Sequence, residues 1–264
     1  MDALYDYYQL GVERGWAGQL DSNGWPTSNV YSNRFLDTIN FINKKNNAKF
    51  SFLDVGCGIG IYSLNILKKF PNSRAFCFDL SKPQIAFAKK LFKEKGVSDR
   101  VSFFVGDAEK FKLDRKFDYI LCTEVLEHLI HPEKAIHNII NCASEKTVLI
   151  FSVPYCSAST KEEWFYKQFS DSQKKLVDLS EKEIDKKKKY YKFFHKSFSF
   201  NDLQMLFEEG RLRIENYAYS SASFGNRYLN IGYNKISKKK IDRLFNKLTR
   251  NKFASQITFI AKLI

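Results

Sequence analysis

One stretch constrains this chain more than any other: Phe52-Leu53-Asp54-Val55-Gly56-Cys57-Gly58-Ile59-Gly60, an apolar run that ends directly in three glycines at alternate positions. Ala48 to Val55 has the apolar character of a strand covered on both faces, and Ile61 to Phe70 has the spacing of an amphipathic helix. The glycines therefore fall at a strand-to-helix turn. Glycine accepts positive φ there and lets a ligand approach the backbone with no Cβ in the way. The helix that follows offers unpaired N–H groups and the positive end of its dipole, which suit a carboxylate or phosphate.

Strand and helix signals alternate beyond the turn. Ser73 to Asp79 reads as a second strand ending in an acid, and Ser81 before Pro83 caps a helix that runs to about Lys95 and ends at Gly96. Val101 to Val105, Phe117 to Cys122 and Lys146 to Val153 read as three more strands, with a helix from Pro132 to about Cys142 before the last. Ser199 opens a helix that reaches Gly210, Arg213 to Tyr219 alternates as a strand, Ser237 to Arg250 reads as a basic helix, and Gln256 to Leu263 as a final strand. Such alternation predicts an α/β fold whose parallel sheet carries helices on both faces. Right-handed crossovers then bring the strand ends to one edge, where ligands of open α/β sheets bind.

Two segments stand apart. Residues 1–47 are rich in aromatics (Tyr5, Tyr7, Tyr8, Trp16, Trp25, Tyr31) and are read as an N-terminal helical cap, with a longer helix from about Ser28 and an apolar stripe of Val30, Phe35, Ile39 and Ile42. Residues 48–264 form the main domain, and residues 155–196, strongly polar and carrying Lys186-Lys187-Lys188-Lys189, are read as a lid or substrate-binding insertion over the ligand edge.

The formal net charge of +14 points to an anionic partner such as nucleic acid, acidic lipid or a phosphorylated substrate, or else to a lysine-rich composition with no such role. Lys186 to Lys192 and Lys238 to Lys252 are the segments a nucleic acid would meet. Five cysteines (Cys57, Cys77, Cys122, Cys142, Cys156) without a Cys-x-x-Cys pair suggest a reducing compartment. No apolar run approaches the roughly 20 residues that span a bilayer. The expected location is cytoplasmic, with peripheral membrane association open and the oligomeric state undetermined.

A dinucleotide fingerprint wants glycine at its first, third and sixth places. Here those places are Gly56, Gly58 and Ile61, which argues against NAD. Asp79 lies nineteen residues beyond Gly60, the separation at which a strand-end carboxylate accepts hydrogen bonds from the ribose hydroxyls of an adenosine ligand. Asp54 to Gly60, Asp79, Gly106-Asp107, Thr123 to His128, Ser152-Val153-Pro154 and the closing strand together resemble a class I S-adenosylmethionine (SAM)-dependent methyltransferase over Ala48 to Ile264. Glu124-Val-Leu-Glu127-His128 is similar to a segment of ubiquinone-pathway, sugar, natural-product and small-RNA methyltransferases.

The resemblance implies a Rossmann-like, mostly parallel seven-stranded sheet with an antiparallel final strand, and SAM as cofactor. It implies cofactor contacts from Asp54, Gly56, Cys57, Gly58, Gly60, Asp79, Leu80, Asp107, Ala108, Thr123 and Glu124, with Asp107 accepting a bond from the adenine amino group. Because SAM carries an activated methyl, the protein need only bind, align and deprotonate the acceptor; His128, with Glu127 beside it, is the candidate base. Glu124, Glu127 and His128 fall at i, i+3 and i+4, one face of a helix, and with His195 form a candidate set for Mg²⁺ or Mn²⁺. His131 reads as a helix-entry residue and His137 as a surface one. The expected function is O-methylation of a small-molecule, sugar or lipid-linked acceptor. Methylation of RNA or another nucleic acid through the basic surfaces is the first alternative, and a SAM-binding interaction protein without transferase activity is the second.

Overall fold

The computed structural model describes residues 29–129, 131–155, 197–220 and 256–264. The strands are β1 (Ser51–Val55), β2 (Arg74–Asp79), β3 (Val101–Val105), β4 (Tyr119–Thr123), β5 (Val148–Pro154), β6 (Leu212–Ser220) and β7 (Gln256–Leu263). They form one sheet in the order β3-β2-β1-β4-β5-β7-β6. β1 to β5 pair in parallel, and β7 runs antiparallel to both β5 and β6. The register of β6 shifts between Ile214 and Asn216, a bulge in an edge strand. The expected seven-stranded, mostly parallel sheet with an antiparallel last strand is the one observed.

Among the described residues five α-helices cover it: α1 (Asn29–Phe41), α2 (Ile61–Lys69), α3 (Lys82–Glu94), α4 (Pro132–Ile140) and α5 (Phe200–Glu209). Alternate residues of β1, β2, β4 and β5 feed two cores, one per face, which is why those strands read as unbroken apolar runs. Leu53, Ile120, Cys122, Leu149 and Phe151 pack with Ala135, Ile136 and Ile139 of α4 and Leu203 and Phe207 of α5. On the other face Phe52, Tyr119, Leu121 and Ile150 pack with Leu64 and Leu67 of α2 and with Phe35, Ile39 and Ile42. Phe35, Ile39 and Ile42 of the predicted stripe are thus part of the sheet's own core.

Local chemistry fixes the helix ends. Ser81 Oγ accepts from Gln84 N at 3.4 Å, Pro83 stands in the first turn of α3, and Gly96 beyond its end has φ +67°. Ser199 and Asp202 close a capping box on α5. The chain runs from β1 outward to β2 and β3, then returns to β4 on the other side of β1. The β1–β4 boundary is therefore the topological switch point, and its C-terminal end is the crevice where such sheets take ligands.

Among the described residues no helix is long and apolar enough to cross a membrane. The aromatics before Ser28, Ser28 itself as a cap, residues 156–196 with Lys186 to Lys192 and His195, and the basic helix with Lys238 to Lys252 lie outside the described residues.

Candidate functional site

The glycine turn opens the crevice. Gly56, Gly58 and Gly60 all have positive φ (+66°, +56° and +80°), the conformation that excludes most side chains. Space excludes them as well. A Cβ on Gly56 would lie 2.4 Å from Val125 Cγ2, and one on Gly60 would lie 2.7 Å from Phe92 Cε2.

Two carboxylates hold the turn. Asp79 Oδ2 accepts from Gly58 N at 2.8 Å and its Oδ1 from Ser81 N at 2.9 Å, tying the end of β2 to the turn. Burial raises the Asp79 pKa, and those backbone donors work against the rise. Cys57 N donates to Phe78 O at 2.9 Å alongside. Asp54, at the end of β1, is buried; Ser63 Oγ donates to its Oδ2 at 2.5 Å, while Oδ1 has no hydrogen-bond partner. Burial pushes the Asp54 carboxyl up to about 7, the Ser63 bond lowers it, and the charge of Asp79 adds to the rise.

Across β2 the crevice is bounded by partly buried Leu80 and by the Asp107 turn. Asp107 Oδ1 accepts from Glu109 N at 2.9 Å, and its Oδ2 pairs with Lys110 Nζ at 3.1 Å. The carbonyl of buried Ala108 accepts from Asn138 Nδ2 at 3.2 Å.

On the β4 side, Thr123 is buried and lies opposite Ser152 in the sheet. Glu124 follows with φ +56°, a left-handed conformation that costs a non-glycine residue free energy. Four contacts hold it: its N–H donates to Ser152 O at 2.9 Å, and its carboxylate accepts from Ser152 Oγ at 3.0 Å, from the Gln256 amide at 3.0 Å, and from Arg34 Nη1 in an ion pair. Arg34 Nε in turn donates to the Tyr62 hydroxyl at 3.1 Å. Burial pushes the Tyr62 phenol up to about 12.

Glu124, Glu127 and His128 do not share a helical face. Leu126–His128 is a single 3₁₀ turn, and Glu124 lies before it in the left-handed conformation with its carboxylate turned to Arg34 and Ser152. Glu127 is buried, its Oε2 has no hydrogen-bond partner, and burial with the neighbouring Glu124 charge raises its pKa well above the ordinary carboxyl value. His128 Nε2 stands 3.8 Å from Glu127 Oε1. No group of three or more His, Cys, Asp or Glu among the described residues is placed to hold a metal ion, and His195 lies outside them. His131 is the N-cap residue of α4, with Nδ1 3.1 Å from Glu133 Oε1, and His137 is exposed.

Sequence reasoning missed Arg34, Tyr62, Ser63 and Gln256. Ser63 alone left a signal, a small hydroxyl three residues past the last glycine, in the first turn of the helix that follows it. Arg34 stands among the core residues of α1, and nothing near it in the chain names its partner.

A methyltransferase-domain family model matches residues 46–197, more than half of the chain. The ajmaline N-methyltransferase of Rauvolfia serpentina is 35% identical over 43% of this chain and 39% of its own length. A malonyl-[acyl-carrier protein] O-methyltransferase of Ilyobacter polytropus is 39% identical over 27% of this chain and 26% of its own. The chain thus spans well under half the length of these curated relatives. Among solved structures, the [4+2]-cyclase SpnF superposes with a TM-score of 0.59 at 15% identity, covering 88% of this chain and 80% of that one. An O-methyltransferase from a trans-AT polyketide multienzyme of Brevibacillus brevis, in complex with S-adenosyl-L-homocysteine, gives 0.58 at 15% identity, over 87% and 71%. The glycine turn, the order of the sheet and the match across residues 46–197 agree: this chain belongs to the methyltransferase-domain family and has its class I, Rossmann-like fold.

Proposed function

We propose that the chain binds SAM in the crevice between β1 and β4 and transfers its methyl group to a hydroxyl of a small-molecule, sugar or lipid-linked acceptor. The observation that carries this reading is Asp54 Oδ1, a buried carboxylate oxygen without a partner beneath a turn of positive-φ glycines. An unpaired buried acceptor is costly, and the ammonium of the amino-acid part of SAM fits it in charge and donor chemistry. Asp79 keeps lone pairs beyond those used by Gly58 and Ser81, which suits ribose hydroxyls. Asp107, Ala108 and Leu80 offer a rim for the adenine, and Thr123 and Glu124 close the β4 side.

Bound there, SAM supplies an electrophilic methyl already activated as a sulfonium. The protein's share is to orient the acceptor in line with that methyl and to take its proton. His128 takes the proton as the new bond to oxygen forms, and the buried Glu127 beside it orients the ring. The malonyl-[acyl-carrier protein] O-methyltransferase relative supports an oxygen acceptor, whereas the ajmaline N-methyltransferase relative favours nitrogen. The SpnF cyclase is a reminder that this fold also carries other chemistry.

The test is transfer of labelled methyl from SAM into a host extract split into small-molecule, lipid, protein and nucleic-acid fractions, beside direct binding of SAM, S-adenosylhomocysteine (SAH) and NAD. Label in the small-molecule or lipid fraction is expected, with binding of SAM and SAH but not NAD. Label in nucleic acid would move the acceptor to the basic-surface alternative, and tight SAM binding with no label in any fraction would favour the non-catalytic one.

A further inference from the structure

Two costs coincide at the β4 side of the crevice. Arg34 is the only lysine or arginine among the described residues that is buried, and Glu124, its partner, is held at positive φ. A buried ion pair is a poor device for stability, since apolar residues of similar volume do as well, and backbone strain persists where it serves a site. The pair borders the crevice on two sides. Val125, next to Glu124, fills the space a Cβ on Gly56 would need, and Tyr62, which accepts from Arg34, lies in the first turn of α2 directly after the glycine turn. What the pair changes is local charge, because Arg34 cancels Glu124 in a crevice already lined by Asp54 and Asp79.

SAM and SAH differ by a methyl group and one positive charge, the sulfonium. Resting on the cofactor reading above, we propose that Arg34 sets the balance between SAM and SAH, acting through Glu124 as a positioning residue rather than touching the reacting atoms. An uncompensated Glu124 would hold the charged cofactor more tightly than the neutral product. It would also stabilise the concentrated charge of the ground state more than the dispersing charge of the transition state, which slows transfer. Cancelling that carboxylate leaves the crevice selective enough to load SAM without over-stabilising it.

The experiment is calorimetric titration of the full chain with SAM and with SAH, at about pH 8 and so above the raised Asp54 value of about 7, for wild type, Arg34→Gln, Arg34→Lys, Glu124→Gln and the double variant Arg34→Gln/Glu124→Gln. The ratio of the SAH to the SAM dissociation constant is expected to rise about three- to tenfold in Arg34→Gln, the size of one partly screened charge. It should fall by a similar factor in Glu124→Gln and stay near wild type in Arg34→Lys and in the double variant. A merely structural role, or direct contact between Arg34 and the carboxylate that both ligands share, would weaken both together and leave the ratio unmoved, which overturns the proposal. Should Arg34→Gln not fold, the opposite shift in Glu124→Gln decides alone. Wild-type protein that binds neither ligand would overturn the cofactor reading as well, whereas binding with an unmoved ratio overturns this assignment only.

Discussion

The two sides of the crevice are held by different means. On the β1–β2 side the carboxylates are fixed from within one short stretch of chain, residues 54–81: Asp54 by Ser63, and Asp79 by the N–H groups of Gly58 and Ser81. On the β4–β5 side Glu124 is fixed by side chains from α1, β5 and β7, which come from both ends of the described chain. The first arrangement follows from one β-α-β unit, two strands with the turn and one helix between them. The second exists only once the whole sheet has closed, because its partners are separated by long loops whose closure must come first. The half of the crevice proposed to hold the cofactor is therefore rooted in a local motif, while the neighbouring half reports on the integrity of the fold.

Substitutions can break this contrast, and the largest effect is expected at Glu124. Glu124→Ala removes the ion-pair partner of the buried Arg34 guanidinium together with the acceptor of Ser152 Oγ and should cost about 3–5 kcal/mol of stability in urea unfolding; a loss below about 1 kcal/mol would mean that the pair does not hold the β4 side. Next comes pH. The folded-state pKa of Asp54 is raised from 3.8 to about 7, so its contribution to stability is fully present below the unfolded pKa and is lost as pH rises through about 7, by up to about 4 kcal/mol. Melting temperature should fall between about pH 4 and pH 7 and level off above that range, and Asp54→Asn should flatten that slope; an equal slope in the variant would assign it to other groups.

Asp79→Ala should weaken SAM by about 2–4 kcal/mol in calorimetry, and unchanged affinity would show that the ribose is read elsewhere. The smallest effect sharpens the contrast instead of breaking it. Gly56→Ala, whose Cβ would meet Val125, should cost about 1–3 kcal/mol of stability. Adding Val125→Ala should return part of that, and the coupling energy measures how firmly the two sides touch.

The fold was legible because its signals are local and repeated. Ser81, Pro83 and Gly96 bracket α3, the Ser199–Asp202 box opens α5, and the β3 and β7 bounds read from the chain are the observed ones. The shape of the glycine turn was legible for the same reason, three glycines and two strand-end acids at fixed offsets. The β4 side was misread in shape. Helical spacing assigned Glu124, Glu127 and His128 to one face, but periodicity carries no information about a three-residue 3₁₀ turn preceded by a left-handed residue. Arg34 was invisible for another reason: a charged residue in an amphipathic helix reads as solvated until the partner that buries it is known.

The bulge in β6 has a consequence for self-association. A flat, exposed edge strand is a template onto which a second copy can add its own strand. Here the edge bends between Ile214 and Asn216, where Glu215 pairs with Arg213 at 3.3 Å and Lys262 at 3.5 Å. Among the described residues β6 is an edge strand of the sheet, and a bend and a cluster of charges at mid-strand make it a poor template, so the irregularity that shifts its register also disfavours the growth of one continuous sheet through two molecules.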